Sequence, residues 1–421
     1  MSLLMALVLG CSEPIQDIEV QVLDKMPTLA RVTWSTKKEV ASQVRFGPGT
    51  TLSLTTPLDS PSTEHSALLL GLPPSTIGSF QVVADDDESE MMEVETGELD
   101  EVFPGFILEG EELGQFMLTP LYAPEGDDGP VILDGAGRTV WQYADQRGLY
   151  VTRVQLARDG SGLIYNSSDL NGHHDETQEL VWVSWEGEEI RTEEVELLGH
   201  DFVEKEDGTI VTVAFDDRGD VVGTKLVEIA PDGTQTDTWS SWDCFDPNVD
   251  THDEMEMGWT FANAMDYDEE DNVYTISFRN FGSIVSVDGD SGECEWVLGD
   301  VAGTIDIAGG TFKHQHQFVR TNDTMLIFDN DGQPGQSRII EYDFDATAGT
   351  ATEAWSYSFD SWNVVLGDVH RLANGDTLAV WGMHGEMERI TPGKEVTTSL
   401  ATDELGTVIG FTTLLDDLYA K

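Results

Sequence analysis

The stretch VEKEDGTIVTVA, Val203 to Ala214, is a short strand, an Asp-Gly turn and a second strand, with alternating apolar residues on both sides of the turn. The same arrangement recurs as LARDGSGLIY (156–165), DYDEEDNVYTIS (266–277), VRTNDTMLIF (319–328) and RLANGDTLAV (371–380). Their turn residues Gly160, Gly208, Asn272, Asp323 and Gly375 are 48, 64, 51 and 52 residues apart. A second hairpin follows most of them: EIAPDGTQTDTWS (228–240), SVDGDSGECEWVLG (286–299) and YDFDATAGTATEAWS (342–356). Four strands per unit of about fifty residues is the signature of a propeller blade. VILDGAGRTVWQY (131–143) supplies the outer hairpin of an earlier unit, so the repeat predicts a six-bladed β-propeller over 103–415. No stretch keeps helical periodicity beyond a couple of turns, and the fold class expected is all-β.

Ahead of the repeats, ARVTWSTKKEVASQVRFGPG (30–49) alternates around a turn and HSALLLGLPPSTIGSFQVVADD (65–86) adds two strands. This resembles a fibronectin type III-like domain, placed at 17–98. The acidic run ADDDESEMMEVETGELDE (84–101) then reads either as a linker or as an exposed sheet edge. The first residues, MSLLMALVLGCSEP, are too short an apolar stretch to span a bilayer. They resemble a lipoprotein-type signal over 1–11, without the usual basic residue before the apolar run. That reading exports the protein to the periplasm or cell envelope with Cys11 as a lipid anchor; the alternative is a buried first strand.

Lysine and arginine number 21 against 80 aspartate and glutamate in 421 residues, a net charge of -59. Such a chain repels polyanions, which excludes nucleic acid and polybasic membrane binding and leaves the lipid as the only expected membrane contact. The acids are scattered through turns, as on a surface solvated in salt or in calcium-binding loops. Cys244 and Cys294, in WDCF and GECEWV, stand near the ends of outer hairpins in successive repeats. In an oxidising compartment they are expected to pair across neighbouring blades; two buried thiols are the alternative. Trp141, Trp239, Trp296 and Trp355 fall at strand ends, where packing between blades is their expected role.

Equivalent positions in successive blades converge on one channel mouth. His200, Asn263, His316 and His370 stand 8, 9, 7 and 5 residues before their turns, so four polar side chains are expected to face a common point. His314 would share a face with His316 if the segment is extended. That pair, and HHDE at 173–176, could offer metal ligands, but without a fixed third histidine or cysteine ligands no metal is assigned.

The run GWTFANAMDYDEEDNVYTISFRNFGSIVSVDGDSGECEWVLGD (258–300), followed by FKHQHQFVRTNDTMLIFDN (312–330), resembles the arylsulfate sulfotransferase family of bacterial periplasmic enzymes. Trp259, Thr260, Asn263, Ser277, Arg279, Trp296, Leu298, Gly299, Gln315, His316, Phe328, Asp329 and Asn330 match its recurring pattern, and His200 matches an earlier His-Asp blade start. The resemblance covers the whole propeller and implies transfer of a sulfuryl group from an aryl sulfate donor to a phenolic acceptor through a sulfohistidine, with no cofactor and no PAPS. His316 would be the nucleophile, Arg279 the clamp on the sulfate oxygens, His200 the acid or base and Asn263 a donor to a sulfate oxygen. One family histidine is replaced by Phe261. His370 or His314 could substitute for it. The competing reading is a non-catalytic, lipid-anchored cell-surface propeller that binds a polysaccharide or protein.

Overall fold

The computed structural model describes residues 14–100, 102–124, 128–169, 177–219, 221–252, 258–333 and 335–419. Cys11 and the HHDE segment lie outside the described residues. The chain divides into two compact units, one of residues up to Asp100 with Asp417–Tyr419, the other of Glu101–Asp416. Among the described residues the elements are strands and three short 3-10 turns, with no α-helix.

The first unit has two antiparallel sheets. Ile15–Val22, Ala30–Val40 and Ser62–Leu69 form one; Leu54–Thr55, Ser42–Pro48, Ile77–Ala84, Asp87–Glu88 and Met92–Glu95 form the other. Alternate residues point inward, so Val32, Trp34, Val44, Phe46, Phe80 and Val82 share one core. The acidic run is a sheet edge and not a linker: Asp87–Glu88 and Met92–Glu95 both pair with Ile77–Ala84.

The second unit has a propeller-type all-β architecture. Among its described residues it contains six sheets, each with a core of antiparallel neighbours. Four consecutive strands make the second, third and fourth sheets, as in Leu198–Glu204, Ile210–Asp217, Val222–Ile229 and Gln235–Ser240, and the fifth adds Asp306–Ala308 parallel to Thr350–Ser358. Second strands such as Gly162–Ser167, Val273–Phe278 and Thr377–Trp381 are buried along their whole length, because a neighbouring sheet covers each face. The cores lie between successive sheets. Ile164 and Leu180 pack with Phe202 and Ile210, and Met117 and Val131 of the first sheet pack with Leu378 and Leu400 of the last.

The ends of this unit are interwoven, which the repeat did not reveal. Phe106–Gly110 forms the outer strand of the last sheet, pairing with Val396–Thr402. Val408–Ile409 and Thr413–Leu415 return to the first sheet and pair with Phe116–Tyr122. The tryptophans hold sheets together in a repeated way. Trp141 donates its indole N–H to the Trp185 carbonyl, Trp239 to Gly292 and Trp355 to Pro392, each in the outer hairpin of the next sheet. Cys244 and Cys294 are disulfide-bonded across two such sheets, 50 residues apart. A structural disulfide is consistent with an oxidising, extracytoplasmic compartment.

Candidate functional site

The entries to four of the inner strands are kinked. Leu197, Phe261, His314 and Leu366 have φ of 58°, 50°, 53° and 59°, left-handed values at the start of four successive inner segments. Such backbone costs on the order of 1 kcal/mol per residue outside glycine, so packing and hydrogen bonds must hold it.

His200 lies in an irregularity of the inner pairing, between Leu198 opposite Ala214 and Phe202 opposite Thr212. Gly199 permits it, since a Cβ there would stand 2.7 Å from the Val213 carbonyl oxygen. The His200 carbonyl accepts from Thr152 Oγ1 at 2.7 Å, which fixes the main chain. Its ring packs edge-on against Phe261, with centroids 4.9 Å apart. Nδ1 is sealed from solvent with no hydrogen-bond partner, so the ring meets a ligand through Nε2.

Arg279 opens the turn after Val273–Phe278, its N–H donating to the Phe261 carbonyl at 3.0 Å. Its guanidinium donates to Asn280 Oδ1 at 2.9 Å. His316 is held at both ring nitrogens. Asn330 donates its amide N–H groups to the carbonyls of Asn363 and Leu366, so its Oδ1 must accept, and it does so from His316 Nδ1 at 2.8 Å. That leaves Nε2 as the lone-pair nitrogen, and it accepts the Leu366 N–H at 2.9 Å.

His200, Arg279 and His316 line one cavity of about 320 Å³. Its remaining walls are largely apolar: Tyr122, Tyr150, Phe261, Leu366 and Met383. Burial, reinforced by the Arg279 charge, pushes both imidazoles down to about 3. Each is therefore neutral at physiological pH, and the positive charge of the cavity belongs to Arg279. A neutral imidazole beside a fixed guanidinium in an apolar pocket suits an anionic group carried on an aromatic body.

The model of the Arylsulfotransferase (ASST) family matches residues 115–411. The chain belongs to the arylsulfotransferase family. No curated protein matches it in sequence. Among solved structures it is similar to a streptogramin B lyase, at 14% identity over 75% of this chain and 100% of that one, with a TM-score of 0.44. It is also similar to a putative 6-phosphogluconolactonase from Bacteroides uniformis, at 11% identity over 68% of this chain and 81% of the other, with a TM-score of 0.45.

Of the residues expected to converge, His200, Arg279 and His316 do so, and three others stand elsewhere. Asn263 is fully buried behind the cavity, where its amide donates to the Gln315 carbonyl at 2.8 Å and its Oδ1 accepts from Ser277 at 2.9 Å. It braces the residue before His316 instead of facing a ligand. His314 does not share a face with His316, because its left-handed φ breaks the extended segment that alternation assumes. Its Nε2 lies 3.1 Å from the His252 carbonyl. His370 lines a different cavity, with Nε2 3.2 Å from Asp368 Oδ2. Sequence reasoning missed the Leu366 N–H and the walls Tyr122, Tyr150 and Met383. Only the Leu-Gly shared by Leu198-Gly199 and Leu366-Gly367, each just before an inner-strand acid, hinted at Leu366.

Proposed function

We propose that this protein transfers a sulfuryl group from an aryl sulfate to a phenolic acceptor, with His316 as its transient carrier. The observation that carries the reading is the meeting of His200, Arg279 and His316, from three successive repeats, at one apolar-walled cavity. Arg279 holds the sulfate oxygens. The His316 Nε2 lone pair forms the N–S bond as the S–O bond to the aryl group breaks, and that electron pair leaves with the phenolate oxygen. The acceptor oxygen then attacks sulfur, the N–S pair returns to Nε2, and the acceptor proton passes to the departed phenolate or to water. His200 has only one ring proton at neutral pH, so it steadies the phenolate by a hydrogen bond instead of delivering a proton.

Two further parts of the reading concern setting. The six sheets act as the six blades of a closed propeller, and the first unit is a fibronectin type III-like module. The protein works outside the cytoplasm, in the periplasm or cell envelope, anchored by a lipid on Cys11.

A second reading has its own support. Phe261 offers His200 no hydrogen bond, and the Leu366 N–H occupies the His316 lone pair. Both features suit a propeller that binds a ligand without reacting. In the catalytic reading Leu366 must withdraw when donor enters, after which its N–H can serve a sulfuryl oxygen. Incubation with a chromogenic aryl sulfate, with and without phenol, separates the two. Acceptor-dependent release of the aryl alcohol is expected, and intact mass without acceptor should show one added sulfuryl group that His316→Ala lacks. Neither turnover nor adduct across several donors would leave the binding reading standing.

A further inference from the structure

A second cavity of about 370 Å³ opens among the same inner strands, and nothing in the sulfuryl-transfer reading uses it. Consecutive residues face the two cavities: His200 and His316 line the first, Gln317 lines the second, and Asp201 lies behind it. Its polar lining includes Arg153, Gln317, Arg320, His370 and Thr413, and its apolar lining includes Met265, Phe318 and Leu414.

The charges in this cavity are unevenly committed. Asp368 gives both oxygens to backbone, accepting from Val369 N–H at 2.7 Å and Thr412 N–H at 2.8 Å. Asp201, behind Arg153, does the same with Phe202 and Met265. Asp266 is exposed at the rim. Arg371 is bound to Glu341 at 2.6 Å. Arg320 is different: its guanidinium donates to Thr275 Oγ1 at 3.1 Å and lies over the Trp296 ring, and no carboxylate of the described residues is in ion-pair contact with it. In a chain with 80 acids and 21 bases, a half-buried arginine left without a carboxylate is unexpected on charge statistics alone.

Three sealed polar atoms without hydrogen bonds belong to the same lining: Arg153 Nε, His370 Nε2 and the Thr413 hydroxyl. Arg153 Nε is 3.3 Å from Asp201 and His370 Nε2 is 3.2 Å from Asp368, but neither contact is aligned for hydrogen bonding. Buried polar groups are ordinarily satisfied, so three unsatisfied ones behind one lining mark a polar wall. The sealed atoms themselves are out of reach, but the rest of the Arg153 side chain, 18% exposed, still meets the cavity.

We propose that this second cavity binds a small organic anion, with its carboxylate or sulfate head on Arg320 and Arg153 and its apolar body against Met265, Phe318 and Leu414. The inference does not depend on sulfuryl transfer. Trp296, beneath Arg320, reports on it. Benzoate should quench or enhance tryptophan fluorescence saturably in the full-length protein, and benzamide, its neutral counterpart, should not. Arg320→Gln should weaken benzoate about tenfold or more, since it removes a charge-assisted contact. Because the first cavity also suits an aromatic anion, the Arg320→Gln comparison is made in an Arg279→Gln background, which removes the cation that would hold benzoate there. Repeating the titration with phenyl sulfate in the same Arg279→Gln background distinguishes the two head groups. The proposal is overturned if benzoate does not saturate in the Arg279→Gln background, if benzamide binds equally, or if adding Arg320→Gln leaves the benzoate affinity unchanged.

Discussion

The two buried imidazoles should make the second unit acid-sensitive in a way that one substitution can isolate. His200 is pushed down to about 3 in the folded protein by burial and Arg279, whereas an unfolded histidine titrates near 6.5. Below about pH 6.5 the unfolded chain takes up a proton that the folded one refuses, so stability falls as pH falls, and the loss is complete only near pH 3. Between pH 8 and pH 5 this amounts to about 2 kcal/mol for His200. Asp201 works in the opposite sense. Burial raises its carboxyl to about 6, so the folded state takes up a proton first and regains about 1 kcal/mol over the same range. His200→Leu removes only the first contribution, and Nδ1 has no hydrogen bond to lose. Urea unfolding at pH 8 and pH 5, at equal ionic strength, should show the variant losing about 2 kcal/mol less than wild type. Equal losses in the two proteins, or a His200 resonance titrating near its ordinary value, would refute the neutral, buried imidazole.

Four other outcomes follow from the same contacts. Arg279→Lys should lose most sulfuryl-transfer activity while keeping its charge, because an ammonium cannot make a planar two-point contact; steady-state kinetics with a chromogenic donor reads this directly. If His316 carries the group, His316→Ala should abolish both half-reactions, and donors with very acidic phenols should not rescue it. Replacing Cys244 and Cys294 by alanine opens a 50-residue crosslink and should cost on the order of 4 kcal/mol in chemical denaturation. In Gly367→Ala the new Cβ would stand 2.2 Å from the Phe328 ring at a φ of +109°. A loss of about 3 kcal/mol is expected, along with displacement of Leu366 from His316, which a histidine NMR signal would register.

Much of this molecule was legible locally. A hairpin is written in period-two alternation and in turn residues that tolerate left-handed backbone, and both act over a few residues, so Gly160, Gly208, Asn272, Asp323 and Gly375 announced the strands around them. The pairing of Cys244 with Cys294 followed from repeat position and is present. His200 and His316 could be placed together because they stand 8 and 7 residues before their turns. His370 stands only 5 before. A difference of three residues along a strand is about 10 Å of travel down the axis, enough to move it into the other cavity.

What the sequence alone determined, then, was the unit of repetition and the chemistry of its inner residues, since these depend on neighbours close in the chain. Only the tertiary structure decided which nitrogen of His316 carries a lone pair, that Leu366 covers it, and that Asn263 braces Gln315 instead of facing the cavity. Those facts depend on groups from 14 to 52 residues away meeting at hydrogen-bond distance. A one-residue change of register or a single left-handed φ, as at His314, exchanges one face for the other, and no local pattern records it.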